Sequence, residues 1–252
     1  MPFEELKDHG VAIVGAGSGI GRATAVLLAM CGARVACLDR HEDAAADTAA
    51  QASSFTDGAF HVGVNVVEYD HVTSALAICH ERLNGIQALV NCAGRTGETN
   101  LKSHEVEIDD FDLTYRVNLR GAFYLSRAVL PLMLPQRYGR ILHLASIAGK
   151  DGNAGAVAYS STKAGIIGMV KSQGKEYADT GITVNALAPA VIQTPMIDAM
   201  PKEQVDYMMS RIPMQRCGTL DEITRTIAWI ISPYCSFTTG FTFDLSGGRA
   251  VY

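Results

Sequence analysis

A doubly wound α/β domain built on a parallel sheet is the fold class that the sequence predicts. Short β-rich runs alternate with longer segments whose apolar residues recur at three- and four-residue steps. Runs such as VAIV and ALV are apolar throughout rather than at alternate positions, as expected of strands covered by helices on both faces. The order βαβαβα then selects parallel strands joined by helical crossovers.

The first strand, Val11–Val14, leads through a glycine-rich turn into a helix over Ile20–Met30. Strands at Arg34–Leu38 and Ala59–Val64 precede helices over Ala44–Ala52 and Tyr69–Leu83. The fourth strand, Ala88–Asn91, precedes the long periodic segment Phe111–Leu134, and the fifth, Arg140–Ala145, precedes Val157–Tyr177. Thr183–Leu187, a helix over Leu220–Ile230 and a last strand at Phe241–Asp244 complete a sheet of about seven strands. No linker, repeat or low-complexity tract divides the chain, so residues 1–252 are expected to form one domain. The stretch from Pro189 to Met214 breaks the regularity, with prolines and a Met-rich amphipathic segment (Met196, Met200, Met208, Met209, Met214). Ligands of open α/β sheets bind beyond the carboxyl ends of the strands, so 189–214 is expected to be a small helical lid over a pocket. A surface hairpin or an oligomer interface are the other readings of that stretch.

Composition removes several classes. With 19% charged residues scattered to a net charge of -5, the chain lacks the clustered Lys and Arg of a nucleic-acid surface. Residues 1–8, MPFEELKD, resemble no targeting peptide, and apolar stretches such as Ala25–Cys31 fall short of the roughly 18 residues of a membrane span. A cytoplasmic location with no membrane partner is expected. Cys31, Cys37, Cys79, Cys92, Cys217 and Cys235 form no CxxC pair and lie in or beside apolar segments, so they read as reduced packing residues. The dispersed histidines offer no zinc spacing, and no metal is expected.

The first strand runs directly into Gly15-Ala-Gly-Ser-Gly19-Ile-Gly21, which opens a helix. Small residues there let the backbone turn sharply and approach a pyrophosphate, whose charge sits on the helix N-terminal N–H groups. Asp39 closes the second strand 18 residues beyond Gly21, the place of an acid that accepts hydrogen bonds from ribose hydroxyls and repels a 2′-phosphate. This favours NAD over NADP and a Rossmann-like domain. Arg40 is the counter-signal, since an arginine there can pair with a 2′-phosphate.

Ser146 closes the fifth strand, thirteen residues before Tyr159, and Lys163 follows four residues later on the same helical face. Here the chain resembles the short-chain dehydrogenase/reductase family over essentially its whole length, including the bacterial members that act on sugars and deoxy-sugar acids. The glycine motif matches at Gly15, Gly19 and Gly21, the strand-four motif at Asn91-Cys92-Ala93-Gly94, the helical asparagine at Asn118 in VNLRG, and the catalytic set at Ser146, Tyr159 and Lys163. The resemblance implies a cofactor site of Gly15, Ser18, Gly19, Ile20, Gly21, Asp39, Asn65, Val66, Asn91, Ala93, Gly94, Tyr159, Lys163, Pro189, Ile192 and Thr194. Val14, Asn65, Cys92 and Pro189-Ala190 depart from the family's usual residues, and none of them belongs to the catalytic set.

Oxidising a secondary alcohol requires a base at the hydroxyl as hydride leaves carbon for the nicotinamide. By resemblance that base is Tyr159, and Lys163 with the positive nicotinamide is expected to lower its pKa. Ser146 would hold the substrate oxygen, and Asn118 a water that relays the proton. Substrate candidates by position are Arg95, His143, Ser146, Lys150, Asn153, Tyr159 and Gln193, a cationic and amide-rich set that suits a sugar acid or polyol. Solvated loop charges are the plainer reading of Arg95 and Lys150. An NADPH-dependent 3-oxoacyl-thioester reductase is the alternative function, and a non-catalytic cofactor-binding protein the remote one. Family resemblance also implies a homotetramer, formed through Phe111–Leu134, Val157–Tyr177 and the last strand. In such an assembly the segment after Asp244 could bring Arg249 and Tyr252 to a neighbour's pocket.

Overall fold

The computed structural model describes residues 3–194, 197, 202–250 and 252. Its strands are β1 (Gly10–Val14), β2 (Arg34–Asp39), β3 (Phe60–Gly63), β4 (Ala88–Asn91), β5 (Gly139–Leu144), β6 (Ile182–Pro189) and β7 (Thr242–Leu245). They form one sheet in the order β3-β2-β1-β4-β5-β6-β7, every neighbouring pair parallel. Chain direction across the sheet reverses between β1 and β4, and a crevice opens there at the carboxyl edge.

The helices are α1 (Gly19–Met30), α2 (Glu42–Ala52), α3 (Tyr69–Arg82), α4 (Ile108–Tyr115), α5 (Gly121–Met133), α6 (Ile147–Asp151), α7 (Val157–Glu176), α8 (Lys202–Ser210) and α9 (Leu220–Ile231). Alternation along each strand divides the interior into two cores. Ala12, Val14, Ala36 and Leu38 face one side, with Leu76 of α3, Leu125 and Val129 of α5, and Ile166 and Val170 of α7. Val11, Ile13, Val35 and Cys37 face the other, with Leu28 of α1, Ala45 of α2, and Ile223 and Ile227 of α9. Residues such as Leu28, Leu76 and Leu125 are fully buried, each stabilising the fold by about 1.5–3 kcal/mol relative to exposure. None of the six cysteines is in a disulfide among the described residues, Cys31, Cys37, Cys79 and Cys92 pack in or against these layers, and burial pushes Cys37 and Cys79 up to about 12. Among the described residues, no helix is long and apolar enough to cross a membrane.

The expected strands and helices correspond to the observed ones, with ends shifted by a residue or so in most cases. The long segment expected over Phe111–Leu134 differs more. Its helix begins at Ile108 and is interrupted by a π-helical turn at Arg116–Arg120, which separates α4 from α5. In the segment 189–214 the described part contains α8, Met208 and Met209 belong to that helix, and Met196 and Met200 lie outside the described residues.

Helix α7 lies against the β6–β7 connection so closely that a Cβ on Gly174 would stand 2.2 Å from the Gly240 nitrogen. Backbone cannot give way as a flexible side chain does, so overpacking of about 1–3 kcal/mol outweighs the helix propensity that alanine would add. Gly174→Ala should therefore lower the urea midpoint with an unchanged m value. An unchanged midpoint would contradict this packing.

Candidate active site

Strands β1 to β6 deliver residues to the crevice. At the end of β1, Gly15 takes φ +80°, and the turn brings Gly21 so close that a Cβ there would lie 2.1 Å from the Gly15 oxygen. Gly19 opens α1 with no neighbour within 4 Å of an added Cβ, and exposed Ser18 makes no side-chain cap to the helix. The first N–H groups of α1, at Gly19 and Ile20, have no carbonyl a turn earlier within the helix, and this open, polar cradle fits a pyrophosphate.

Asp39, at the end of β2, is fixed against the same turn. Its Oδ2 accepts from the Gly17 nitrogen at 2.9 Å and its Oδ1 from the His41 nitrogen at 2.9 Å. A side chain on Gly17 would meet that carboxylate at 2.8 Å. Below the loop, Arg22 donates to the Gly17 oxygen at 2.5 Å and to Thr48, whose hydroxyl donates to the Ala16 oxygen at 2.8 Å. The guanidinium of Arg40, the counter-signal to NAD, is turned to its neighbour, with Nε 3.0 Å from His41 Nε2. Farther along the edge, Asn65 accepts from the Val67 nitrogen and donates to Glu68, which shapes the turn before α3, and Val66 packs beneath it against Gly121.

The catalytic candidates converge between β4, β5 and α7. Fully buried Asn118 sits in the π-helical turn, where the extra residue directs it inward. Its Oδ1 accepts from the Arg95 nitrogen at 2.8 Å, while its Nδ2 donates to the Arg95 oxygen at 2.9 Å and to Thr162 at 3.0 Å. Ser146 follows β5 as the N-cap of α6, its hydroxyl accepting from the Ala148 nitrogen at 3.1 Å. Lys163 is 4% exposed; its Nζ donates to the Leu144 oxygen at 2.6 Å and stands 5.6 Å from the centre of the Tyr159 ring. A Cβ on Gly94 would lie 3.5 Å from that Nζ, so the loop after β4 runs beside the lysine. Burial pushes the Lys163 ammonium down to about 8, with Cys92 opposing the shift.

Tyr159 departs from the expectation. Burial pushes its phenol up from the ordinary value, and only a hydrogen bond with Ser146 works against that shift. The Lys163 ammonium is directed at the Leu144 carbonyl rather than at the phenolic oxygen. His143 is also corrected. It does not line the pocket: it is fully buried on β5, with Nδ1 3.2 Å from Asn91 Nδ2 and Nε2 2.8 Å from Ser126 Oγ. Asn91 Oδ1 accepts from the Ala93 nitrogen at 3.1 Å, so its amide nitrogen donates to His143 and the ring proton lies on Nε2. Burial, assisted by Lys163, pushes this imidazole down to about 3, and it is neutral.

The cations of the substrate set already have partners within the chain. Arg95 pairs with Asp110 at 2.5 Å, and Lys150 with Asp244 at 2.9 Å. Asn153 Oδ1 accepts from Arg249 at 2.7 Å, and the Tyr252 hydroxyl donates to the Lys150 carbonyl, so the segment after Asp244 folds onto its own chain. Gln193 is exposed and its nitrogen donates to the Gly218 oxygen at 2.8 Å, next to half-buried Thr194 and the Ile192–Gly218 bridge at the end of β6. Sequence reasoning missed Gly17, Arg22, Thr162 and Asp110. Thr162 and Gly17 stand inside motifs already singled out, whereas nothing distinguishes Asp110 within its acidic run.

His143 carries a pH signature. An unfolded histidine titrates near 6.5 and the folded one near 3, so between these values the unfolded state binds the extra proton. The contribution is complete above pH ~6.5 and is lost as pH falls, at up to about 1.4 kcal/mol per pH unit. Urea unfolding between about pH 4 and pH 7 should give a smaller pH dependence for His143→Leu than for the wild type. Equal slopes would contradict a neutral, buried imidazole.

Comparison with known proteins bears on the same residues. A family model described as enoyl-(acyl carrier protein) reductase matches residues 15–250. The 2-dehydro-3-deoxy-L-rhamnonate dehydrogenase (NAD(+)) of Sphingomonas sp. (strain SKA58) is 42% identical over 240 residues, 95% of this chain and 94% of that protein. The 3-oxoacyl-(acyl-carrier-protein) reductase FabG of Thermotoga maritima is 35% identical over 239 residues, 95% of this chain and 96% of that protein. The crystal structure of levodione reductase superposes with a TM-score of 0.93 at 29% identity, over 98% of this chain and 100% of that one. A crevice that joins a glycine-rich cradle to Ser146, Tyr159 and Lys163, matched end to end by dehydrogenases and reductases, places the chain in the short-chain dehydrogenase/reductase family.

Proposed function

We propose that the chain is an NAD-dependent dehydrogenase that interconverts a secondary alcohol and a ketone on a deoxy-sugar acid, sugar acid or related polyol. The observation that carries this reading is the carboxylate of Asp39, held by the Gly17 and His41 nitrogens where the cofactor's ribose hydroxyls would lie. The 42% identity to a relative named for NAD(+) and a deoxy-sugar acid supports it. Residues 1–252 act as one dinucleotide-binding domain, with 189–214 as a lid over the substrate.

The residues fit the cofactor. Gly15, Ser18, Gly19, Ile20 and Gly21 would hold the pyrophosphate, Asp39 the ribose, and Asn65 and Val66 the adenine. Asn91, Ala93 and Gly94 would border the adjoining ribose, Tyr159 and Lys163 the nicotinamide ribose, and Pro189, Ile192 and Thr194 the nicotinamide amide. When bound, the nicotinamide supplies the hydride acceptor. Ser146 orients the substrate oxygen and Tyr159 takes the hydroxyl proton, while Asn118 orders the proton's exit and Lys163 stabilises the phenolate. The raised phenol keeps its proton at neutral pH, so Tyr159 is poised as an acid for ketone reduction, and alcohol oxidation speeds up toward alkaline pH. Around the substrate stand Arg95, Lys150, Asn153 and Gln193. Because Arg95 and Lys150 are already matched by carboxylates, they serve as hydrogen-bond donors rather than as unmatched charges.

Exposed Phe111, Leu113, Tyr115 and Phe123 on α4 and α5 support a homotetramer, which light scattering would test, in a cytoplasmic setting. The similarity to acyl-carrier-protein reductases makes reduction of a 3-oxoacyl thioester the second reading.

A screen of sugar acids and polyols for NADH formation should give turnover on a deoxy-sugar acid, whereas NADPH preference with thioester turnover would select the second reading. Tyr159→Phe should lower kcat by about 10²–10⁴-fold while leaving NAD affinity nearly intact, and retained turnover would remove the assignment. Asp39→Ala should raise kcat/KM for NADP relative to NAD by about tenfold or more, about 1.4 kcal/mol of discrimination. An unchanged ratio would remove Asp39 from cofactor selection.

A further inference from the structure

The chain between Ser146 and Tyr159 sets how far apart the two groups stand, yet it has little stability of its own. Helix α6 has five residues, too few to persist without outside contacts, and Gly152 leaves it at φ +72°. The backbone of α6 packs on α7, where a Cβ on Gly149 would lie 2.6 Å from the Lys163 carbonyl carbon, and further polar contacts come from residues 244–250 and Tyr252. Lys150, its side chain 6% exposed, is paired to Asp244, and the Tyr252 hydroxyl donates to the Lys150 carbonyl. Between these attachments the backbone doubles back through Gly247 and Gly248, at φ +61° and +88°, and Ser246 Oγ accepts from the Ala250 nitrogen at 3.1 Å.

Arg249 is the innermost element of this strap. Its side chain is 7% exposed, its terminal nitrogen donates to Asn153 Oδ1 at 2.7 Å, and its Nε lies 3.5 Å from Asp151 Oδ2. That Nε has no hydrogen-bond acceptor, so the desolvated guanidinium is incompletely satisfied. A buried cation of this kind is a poor source of net stability, because the desolvation cost rivals the Coulomb gain. It does fix two loop residues at one fork, and Asn153 is in turn tied to α7, its nitrogen donating to Ser160 Oγ at 3.0 Å beside Tyr159. The same loop walls a cavity of about 620 Å³ against residues 101–103.

We propose that Arg249 is a positioning residue for the reaction: acting through Asp151 and Asn153, it holds Ser146 and Tyr159 in working geometry without touching the substrate. The inference rests on the Ser146–Tyr159 chemistry proposed above. Arg249→Ala and Arg249→Lys in the full chain would be compared with the wild type for kcat, KM, NAD dissociation constant and Tm, using the best sugar acid from the screen. Arg249→Ala is expected to lower kcat by about tenfold or more, leave NAD affinity and substrate KM within about twofold, and recover part of kcat on addition of guanidinium ion. Arg249→Lys, which keeps the charge but loses the fork, should be intermediate in kcat. If Arg249→Ala fails to fold, the lysine variant decides: reduced kcat with unchanged NAD affinity supports the proposal, and full kcat overturns it. A kcat within twofold of wild type for Arg249→Ala, a rise confined to substrate KM, or a loss of kcat that merely tracks lost folded protein would each overturn it. Full turnover by Tyr159→Phe would remove the underlying function, whereas an inactive Tyr159→Phe beside a fully active Arg249→Ala removes this inference alone.

Discussion

An ammonium taken out of water must find an acceptor, and in this protein Lys163 finds the carbonyl of Leu144, at the end of β5. That bond ties the central sheet to α7 at the crevice, beside the apolar packing of Ile166 and Val170. With Nζ anchored there, the Gly94 backbone passes alongside it, and Asn118 can reach from the π-helical turn to both Arg95 and Thr162. The tyrosine one turn earlier on α7 is consequently placed over the lysine and beside Ser146. The cost of burial is visible in the ammonium's fall to about 8.

The cofactor end depends on a different economy of contacts. Gly17 has no side chain, so the Asp39 carboxylate can lie against its nitrogen, while Arg22 and Thr48 secure the underside of the same loop. The glycine-rich turn is thus rigid from below and open above. A dinucleotide would meet a preformed surface there, with little ordering left to do.

Much of this was legible in the sequence because it follows from periodicity and from residues that few other roles require. Continuous apolar runs identify β1 and β4, and the spacing of Tyr159 and Lys163 is that of one helical face. What was not legible depends on pairing across distant parts of the chain. Nothing near Arg95 indicates that Asp110 neutralises it, and nothing near His143 indicates that Asn91 and Ser126 enclose it. The rise of the Tyr159 phenol was likewise hidden, since charge proximity can be inferred from spacing whereas burial and the direction of an N–H bond cannot. The π-helical turn at Arg116–Arg120 has no mark in the hydrophobic pattern, which runs unbroken through it.

The pairing of Lys150 with Asp244, and of Tyr252 with the Lys150 carbonyl, links two stretches of sequence nearly a hundred residues apart. Substrate preference in a fold of this kind is commonly altered by exchanging loops. In this chain the loop between Ser146 and Tyr159 is not a self-contained module, because Lys150 and Asn153 take partners from Asp244, Arg249 and Tyr252. A chimera that imports the loop alone would leave Asp244 without its cation and Arg249 without its acceptor. The structural unit is therefore the two segments together.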